Sequence, residues 1–304
     1  TVFVTNSGTE SMECCVKMAR KYHYENGNPE RTNIIAFEGS FHGRSLGMIS
    51  AAGAEKLTKG FGPLLPGFIH LKLGDLADVE AAIDNTTAAI MVEPVQGEGG
   101  IIPLPDDYMQ GLRKLCDDNG LLLIFDEIQC GMGRTGKLFA HEWSGVTPDI
   151  MGIAKGIGGG FPLGACLATE KAARGMVAGS HGSTYGGNPL ACAVGSKVMD
   201  IVATPEFLGE VSAKAGHLRQ RLEGLVASHP DVFISVRGSG LMIGVECKVP
   251  NIDVVNAGYD AEVLTVPGGA NVIRILPPLN ISIQEIDEAV ARLDKAATSI
   301  EASL

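Results

Sequence analysis

Residues 121–127 read LLLIFDE, and this stretch decides the fold class. Its first five residues are all apolar, which is typical of a strand buried on both faces in a parallel sheet covered by helices. Two carboxylates, Asp126 and Glu127, follow directly. Because ligands of open α/β sheets bind outside the carboxyl ends of the strands, a carboxylate here can hold a cation or a protonated ring nitrogen. The alternative is a solvated strand end. A nucleotide-type magnesium site would need a G-x-x-x-x-G-K-[ST] loop, which the chain lacks.

Strands and helices alternate on both sides of this run. Short apolar runs predict strands, and apolar residues at helical spacing predict the helices between them. Strands are expected over residues 1–5, 34–37, 88–95, 149–154 and 165–169, and helices over residues 8–24 and from Asp106 or Asp107 to Asn119, with Gly120 just past the end. The alternation predicts an α/β fold with a mostly parallel sheet and helices on both sides.

The pattern changes after Thr204-Pro205. Before this point a long helix is expected from Asn188-Pro189, with Asn188 as its cap, to about residue 203. Beyond it we expect an amphipathic helix over residues 207–228, short strands near 233–236, 241–246 and 272–276, and a closing helix from Ser282. The sequence therefore predicts a large domain over residues 1–203 and a smaller α+β domain over residues 204–304.

Charge and cysteine usage exclude some classes of function. The 304 residues carry 24 Lys and Arg against 35 Asp and Glu, a net charge of −11, so neither nucleic acid nor an anionic membrane is an expected partner. No apolar run approaches the ~18 residues of a membrane span. Seven scattered cysteines without a C-x-x-C motif predict a reduced, cytosolic protein. The chain opens inside a predicted strand without Met, so we expect that an N-terminal segment is absent.

The first candidate site is Asn6-Ser7-Gly8-Thr9-Glu10, which follows a predicted strand and opens a helix. Free backbone N–H groups at a helix N-terminus, together with hydroxyls, form a phosphate site, and Gly8 would let the phosphate approach the backbone. Ser7 and Glu10 also have the S-x-x-E spacing of an ordinary capping box. On this stretch alone the capping box is the favoured interpretation.

The segment 131–136, GMGRTG, matches the G-x-G-x-x-G dinucleotide fingerprint. That fingerprint should open a helix at the strand end and be followed ~20 residues later by an acidic residue. Here polar residues intervene and no convincing acidic partner follows. We therefore interpret the segment as a glycine-rich surface loop.

Lys155 ends a predicted strand and precedes a glycine cluster, Gly156-Ile157-Gly158-Gly159-Gly160. At the mouth of an apolar sheet its ammonium would be desolvated, which lowers the pKa of a lysine and makes it nucleophilic. These are the requirements for a Schiff-base lysine. The simpler alternative is an exposed lysine at a strand end.

Another strand is followed by Phe41-His42-Gly43-Arg44. Phe41 can stack on a flat ring, and Arg44 can take a carboxylate through two parallel hydrogen bonds. A lone histidine such as His42 is more often structural than catalytic.

Taken in order, these segments resemble one family, the class III pyridoxal-phosphate-dependent aminotransferases of fold type I. Within it the chain is most similar to the acetylornithine/ornithine subgroup. The segments that carry the resemblance are 6–10, 41–44, 93–98 (EPVQGE), 126–129, 131–136, 155–162, 182–189 (GSTYGGNP) and 274–279 (RILPPL). Together they span nearly the whole chain.

The resemblance implies that pyridoxal 5'-phosphate is the cofactor. Lys155 would form the Schiff base with it and then carry a proton between the substrate carbon and the cofactor. Asp126 would pair with the pyridine nitrogen and keep it protonated, so that the ring can accept electrons. Gln129 would bond the phenolic oxygen of the ring.

The remaining cofactor contacts implied by the resemblance are spread over four segments. Phe41 and Ile128 would lie on the two sides of the ring, and Gly8 and Thr9 would hold the phosphate. Thr184 would complete the phosphate site of the neighbouring subunit. A homodimer with active sites shared across its interface is therefore expected.

The implied substrates are an ornithine derivative and 2-oxoglutarate. Arg44 would hold the α-carboxylate of the donor, and Arg274 that of 2-oxoglutarate or glutamate. Glu98 would pair with Arg274 while the donor reacts, and Ser183 would lie close enough to touch substrate. The resemblance implies transfer of the δ-amino group of N-acetylornithine to 2-oxoglutarate, a step of arginine biosynthesis. The alternatives are ornithine, succinylornithine, succinyldiaminopimelate or 4-aminobutyrate as donor, or a non-catalytic nicotinamide-binding protein built on the 131–136 loop.

Overall fold

The computed structural model describes all 304 residues, Thr1–Leu304. They form two compact units. The first unit comprises Thr1–Pro94, Leu104–Met132 and His141–Ile201, and the second comprises Val95–Pro103, Gly133–Ala140 and Val202–Leu304. The last segment of the first unit ends at Ile201, close to the expected domain boundary at residue 203. The two short segments that join the second unit were expected in the large domain, and nothing in their local sequence separates them from it.

Thirteen strands and ten α-helices make up the two units. In chain order they are β1 (Val2–Thr5), α1 (Gly8–Glu25), β2 (Asn33–Phe37), α2 (Leu46–Ala52), α3 (Glu55–Thr58), β3 (Phe68–Leu71), α4 (Leu76–Ala82), β4 (Thr87–Val92), β5 (Val95–Gln96), β6 (Ile102–Pro103), α5 (Asp106–Asn119), β7 (Leu122–Asp126), β8 (Ile150–Ile153), β9 (Gly164–Ala168), α6 (Glu170–Ala173), α7 (Pro189–Val202), α8 (Pro205–Ser228), β10 (Phe233–Ser239), β11 (Met242–Cys247), α9 (Asn251–Asp260), β12 (Val266–Gly268), β13 (Val272–Ile275) and α10 (Ile283–Glu301).

The first unit is built on a seven-stranded sheet in the order β1-β9-β8-β7-β4-β2-β3. The five strands from β8 to β3 pair in parallel, and β9 is antiparallel to both of its neighbours. The expected α/β fold with a mostly parallel sheet is therefore confirmed. Strand β7, which contains most of the apolar run of residues 121–125, occupies the middle of the sheet.

Helices cover both faces of this sheet. Successive side chains of a strand point to opposite faces, and on one face Ile34 and Ile124 pack with Met12 of α1 in a single apolar cluster. On the other face the fully buried Phe37 meets Tyr108 of α5 nearly edge-on, with ring centroids 6.4 Å apart. Each large apolar side chain buried in this way contributes about 1.5–3 kcal/mol relative to exposure. The central strands are apolar throughout because both of their faces are covered.

The second unit has a four-stranded antiparallel sheet in the order β10-β11-β13-β12 and a short β5-β6 pair. Leu222 of α8 and Leu293 of α10 pack with the strand residue Ile243 in one apolar cluster. The hydroxyl of Thr204 caps α8, and Ser282 forms a reciprocal capping box with Glu285 at the start of α10. These local signals are why both helices begin where the sequence indicates.

Some bounds differ from expectation for identifiable reasons. Neither Asp106 nor Asp107 caps α5, because the cap position is Pro105 and Asp106 is already the first helical residue. Strand β4 ends at Val92, just before Glu93-Pro94, since proline has no N–H for a ladder. Helix α9 follows Pro250 without a side-chain cap and was not expected. Also not expected were the short helices α2, α3, α4 and α6 and the short strands β3, β5, β6 and β12. None of the ten helices has the length and apolar character that crossing a membrane requires.

Candidate active site

The candidate residues of the first unit collect at one edge of its sheet. Strands β1, β2, β4, β7 and β8 run in the same direction, since β1 and β8 are both antiparallel to β9. The predicted residues near their carboxyl ends are Gly8 and Thr9 after β1, Phe41 and Arg44 after β2, Asp126 in β7 with Ile128 and Gln129 after it, and Lys155 after β8. The topology thus places them where ligands of such sheets bind.

Asp126 is held in one orientation by two hydrogen bonds. Its Oδ2 is 2.8 Å from His42 Nδ1, and its Oδ1 accepts from Ile128 N at 3.0 Å. The carboxyl is almost fully buried. Because each carboxylate oxygen has two lone pairs, both bonds leave Asp126 able to accept from a further N–H donor. Asp126 is therefore a fixed acceptor at the end of the central strand, rather than the solvated strand end considered as the alternative.

His42 is the residue of this site to which the sequence argument gave too little weight. It is buried between two carboxylates, and a ring nitrogen of His42 and one carboxylate oxygen each of Glu93 and Asp126 all lie within 4.8 Å of one another. Burial alone would lower the pKa of His42, but the hydrogen bond that its ring donates to Asp126 and the charges of Asp126 and Glu93 outweigh burial and raise that pKa. Glu93 also accepts from Phe41 N at 3.2 Å, which fixes the segment before His42. The position of His42 after a strand end was the one signal that could have identified it.

We expect replacement of His42 by asparagine to change the pH dependence of stability. A histidine with a raised folded-state pKa stabilises the fold fully below its unfolded pKa of about 6.5, and the contribution is lost as pH rises through the folded pKa. Asparagine keeps a neutral N–H donor toward Asp126 without the charge. Urea unfolding of both full chains, without cofactor, should show a stability difference that is largest below about pH 6.5 and shrinks as pH rises above it, as the raised pKa of His42 requires. A difference that does not vary with pH contradicts a charged His42.

The start of α1 combines a cap with free backbone donors. Ser7 Oγ accepts from Glu10 N at 3.3 Å, and Glu10 Oε2 accepts from Asn6 N at 2.7 Å. The cap is therefore present, with the glutamate arm reaching Asn6 instead of Ser7. The N–H groups of Gly8 and Thr9 have no partner in the protein and lie at the positive end of the helix dipole. The capping and phosphate-site interpretations are compatible, because the cap uses other donors.

Gly8 has a packing reason to be glycine. A Cβ at this position would lie 2.9 Å from Cδ1 of Ile128. The close approach joins the start of α1 to the segment that follows Asp126. Any larger residue at position 8 would displace Ile128, so the two predicted cofactor contacts depend on each other.

The side-chain amide of Gln129 supports a bound polar group. Its Oε1 is buried and has no hydrogen-bond partner. An unsatisfied buried acceptor costs about 1–3 kcal/mol, which a ligand hydrogen-bonded to the amide would recover. The acceptors of Gln129 and Asp126 and the free N–H groups of Gly8 and Thr9 together match a protonated ring that carries a hydroxyl and a phosphate. The residues present therefore fit pyridoxal phosphate.

Lys155 lies just beyond β8, at the first residue of a 3-10 turn that runs to Gly158. Its φ of +47° is in the left-handed region, which is uncommon for a residue other than glycine and costs of order 1 kcal/mol. Such strain recurs at functional sites. The expectation that the ammonium is desolvated is wrong for this chain, because the turn carries Lys155 past the strand end and leaves it exposed.

Arg44 is an exposed arginine without a carboxylate partner. Its Cζ lies 5.3 Å from the centroid of the Phe41 ring, and Phe41 in turn packs beside Ile49 and Leu57. Stacking on an aromatic face orients a guanidinium while leaving its N–H groups free for a carboxylate or phosphate. In this chain the guanidinium of Arg44 lies over the ring of Phe41.

No α-helix opens at the 131–136 loop, which is followed by further turns and a short 3-10 helix at Ala140–Trp143. The loop therefore lacks the helix that a dinucleotide fingerprint requires. The description as a surface loop is wrong, because five of its six residues are buried. Arg134 donates to the carbonyl of Leu241 at 3.2 Å and to the carbonyl of Pro277, and burial lowers the pKa of Arg134 to about 10. Arg134, Leu241 and Pro277 all belong to the second unit, so these bonds hold residues 133–136 within it.

The second unit contains the predicted pair of Arg274 and Glu98. Arg274 Nη1 donates to Glu98 Oε1, and the arginine is almost fully buried on β13. Glu98 lies in the turn between β5 and β6, and its carbonyl accepts from Gly269 N at 2.9 Å. Arg274 Nε has no partner. The carboxylate of Glu98 thus occupies the Nη1 side of the Arg274 guanidinium.

Ser183 and Thr184 are exposed and line a cavity of about 440 Å³ in the first unit. Ser183 Oγ accepts from Asn6 Nδ2 at 3.1 Å and from Gly186 N at 3.0 Å. Thr9 and Glu13 line the same cavity. The structure thus brings the predicted phosphate and substrate hydroxyls beside the start of α1.

Comparison with known proteins gives a consistent result. The family model described as aminotransferase class-III matches residues 1–297. An acetylornithine aminotransferase from Rhodobacter capsulatus is 64% identical over 99% of this chain and 77% of its own length. Among solved structures, an ornithine aminotransferase from Toxoplasma gondii superposes with a TM-score of 0.94 at 32% identity, covering 100% of this chain and 74% of that one. An N-acetylornithine aminotransferase from Stenotrophomonas maltophilia gives 0.86 at 36% identity, covering 100% and 76%.

Proposed function

The chain belongs to the class-III aminotransferases, and from that premise we propose that it transfers the δ-amino group of N-acetylornithine to 2-oxoglutarate. The products are N-acetylglutamate semialdehyde and glutamate, and the step belongs to arginine biosynthesis. Like its family, the chain is a pyridoxal-phosphate-dependent transaminase. The shared name of the relatives supports the choice of donor.

One geometric observation supports the proposal. Of the two predicted substrate arginines, Arg274 is paired with Glu98, whereas Arg44 has no carboxylate partner. An ω-amine donor with one free carboxylate needs one open arginine, and a second open arginine would bind it in the wrong direction. 2-Oxoglutarate carries no amine, and its α-carboxylate would be held by the second arginine once the masking carboxylate has left it. A masked arginine and an open one suit this alternation of substrates.

The cofactor, when bound, supplies an electron sink for the carbon that bears the reacting amine. Lys155 would hold it covalently, and its Nζ would take the proton from that carbon. Asp126, already fixed by His42 and Ile128, would accept a hydrogen bond from the protonated ring nitrogen. Gln129 would bond the ring hydroxyl, which would satisfy its buried amide.

The other cofactor contacts follow from the predicted roles. Phe41 and Ile128 would enclose the ring, and the free N–H groups of Gly8 and Thr9 would bind phosphate at the helix N-terminus. We propose a homodimer in which Thr184 completes the phosphate site of the partner subunit. The exposure of Thr184 in the single chain supports this. We also propose that the enzyme works in the cytoplasm, since its seven cysteines are all unpaired thiols.

In the proposed reaction Arg44 takes the α-carboxylate of N-acetylornithine, with Ser183 close to the substrate. Glu98 stays paired with Arg274 during this half-reaction, so that the guanidinium is closed to the donor carboxylate. When 2-oxoglutarate enters, Glu98 moves aside and Arg274 binds the α-carboxylate. A bidentate arginine–carboxylate pair is both stronger and more directional than a neutral hydrogen bond.

The test is the visible absorbance band of the full chain with pyridoxal phosphate. N-Acetylornithine should bleach this band, and 2-oxoglutarate should restore it. Bleaching by ornithine, succinylornithine, succinyldiaminopimelate or 4-aminobutyrate, but not by N-acetylornithine, would keep the enzyme class and change the donor. A chain that binds nicotinamide cofactor and forms no such band would contradict the proposal altogether.

Replacement of Glu98 by alanine is expected to weaken discrimination between ω- and α-amines. Without the carboxylate, Arg274 is open and attracts the α-carboxylate of an ordinary amino acid. The ratio of kcat/KM for N-acetylornithine to that for L-norvaline should fall by roughly tenfold, or about 1.4 kcal/mol. Glu98→Gln is the matched variant, because it keeps the shape and removes the charge. If the ratio is the same in all three proteins, Glu98 does not mask Arg274 during turnover.

A further inference from the structure

The side chain of Arg44 is positioned by little besides its own backbone. The guanidinium stacks on Phe41 at 5.3 Å and forms no ion pair, so no carboxylate fixes it. A long side chain of this kind has several rotatable bonds, and its reach is set by where its Cα is held. The supports of the segment 43–45 therefore decide where the free N–H groups of Arg44 can meet a ligand.

This segment rests on the first two turns of α1. Arg44 N donates to Thr9 Oγ1 at 3.3 Å. Gly43, with a φ of +136°, comes so close that a Cβ there would lie 2.5 Å from Thr9 Oγ1. On the other side of Arg44, Ser45 Oγ donates to Glu13 Oε1. Contacts one residue before and one residue after Arg44 thus fix its backbone to the same helix.

Glu13 has no other hydrogen-bonding role in the chain. It is half-buried, forms no ion pair, and its one hydrogen bond comes from Ser45. The start of α2 lies directly against it, since a Cβ at Gly47 would be 2.6 Å from Glu13 Oε1. Ser45 Oγ also accepts from Met48 N at 3.2 Å, so the hydroxyl joins Glu13 to the first turn of α2. Glu13 is thereby linked both to the residue that follows Arg44 and to the start of α2.

We propose that Glu13 is a positioning residue for the amino donor: by holding Ser45 it sets the place of Arg44, and so determines the affinity for the donor carboxylate. This inference rests on the proposed function, in which Arg44 binds N-acetylornithine and Arg274 binds 2-oxoglutarate. Glu13 itself touches neither substrate. Its effect should therefore appear in donor binding and be absent from acceptor binding.

The experiment compares the two half-reactions in the full chain loaded with cofactor. Glu13→Ala should raise KM for N-acetylornithine by roughly tenfold, with kcat and KM for 2-oxoglutarate within about twofold of wild type. Glu13→Gln, whose amide oxygen still accepts from Ser45, should stay close to wild type. Glu25→Ala is the matched control, because Glu25 lies on the same helix, is exposed and pairs only with Lys21. Arg44→Lys removes the two-pronged hydrogen bonding itself. Its increase in KM for N-acetylornithine is therefore the largest that mispositioning of Arg44 should cause.

A binding measurement without turnover completes the test. N-Acetyl-L-norvaline carries the donor carboxylate but no δ-amine, and calorimetry should show it binding to Glu13→Ala more weakly by the same factor. If Glu13→Ala does not fold, Glu13→Asp, which is one methylene too short to reach Ser45, takes its place. Equal changes in donor and acceptor KM, or a glutamine variant as impaired as the alanine one, overturn the proposal.

Failure of the proposed function has a different signature. In that case the wild type does not transfer an amine from N-acetylornithine, whatever residue stands at position 13. The same comparison on the amine-bearing carboxylate that the wild type does accept then tests the role of Glu13.

Discussion

Replacing Lys155 by alanine is expected to lower transaminase turnover by roughly four orders of magnitude, which is close to abolition. The proposed mechanism gives this residue two tasks, holding the cofactor and carrying the proton of the substrate carbon. Lys72 also follows a strand at this edge, but that strand, β3, is the terminal strand of the sheet, whereas β8 is next to the central strand β7. The visible absorbance band should be lost or shifted in the same variant.

The backbone at position 155 makes this a clean experiment. Lys155 has a φ of +47°, and lysine and alanine both have a Cβ there, so the strain is the same in the two proteins. The side chain is exposed, so its removal leaves no cavity. Unfolding temperatures of wild type and Lys155→Ala should therefore agree.

The control is Lys56→Ala, an exposed lysine of the short helix α3. It should retain full activity and the absorbance band. A small primary amine added to Lys155→Ala should restore part of the turnover, because it can carry the proton without the side chain. Full activity in Lys155→Ala without added amine would show that another residue is the base.

Sequence signals that act over a few residues predicted the fold well. The apolar run that became β7, the cap at Ser7 and the capping box at Ser282 are local, and the structure has each of them. Helix α9 was missed because its start offers only Pro250 and no capping side chain. The burial of the 131–136 loop was missed because it depends on Arg134 reaching carbonyls more than a hundred residues away.

The candidate site shows the same limit. Asp126 could be singled out because it ends an apolar strand, whereas its partner His42 lies 84 residues earlier in the chain and has no spacing that indicates the contact. The pairing of Glu98 with Arg274 spans 176 residues and was expected only from the family resemblance. Exposure of Lys155 depends on the turn after β8, which the apolar pattern of the strand does not specify.

Replacing Asp126 by alanine is expected to lower turnover by roughly two to three orders of magnitude while cofactor uptake persists. The carboxylate is buried at the end of the central strand, and it would keep the ring nitrogen protonated. Without it the ring accepts electrons poorly. Lys155 and the start of α1 would still hold the cofactor, so binding should survive.

The alanine variant also removes the partner of His42, which is why a second variant is needed. Asp126→Asn keeps an oxygen that accepts from Ile128 N and removes the negative charge. If the charge matters, turnover should fall in both variants, and the pKa of His42 should drop in both, since burial would then be opposed only by Glu93. Proton NMR of the histidine rings across pH would follow that change.

Asp118→Ala supplies the matched control, since Asp118 is exposed and pairs only with Lys114. It should have no effect on turnover or on the titration of His42. Wild-type turnover in Asp126→Asn would refute the ring-nitrogen role. Loss of cofactor uptake together with the fold in both variants would make Asp126 a structural anchor of the segment that carries His42. The charge argument predicts neither result, because two buried carboxylates, at Asp126 and Glu93, need two positive charges. His42 supplies one, and the protonated ring would supply the other.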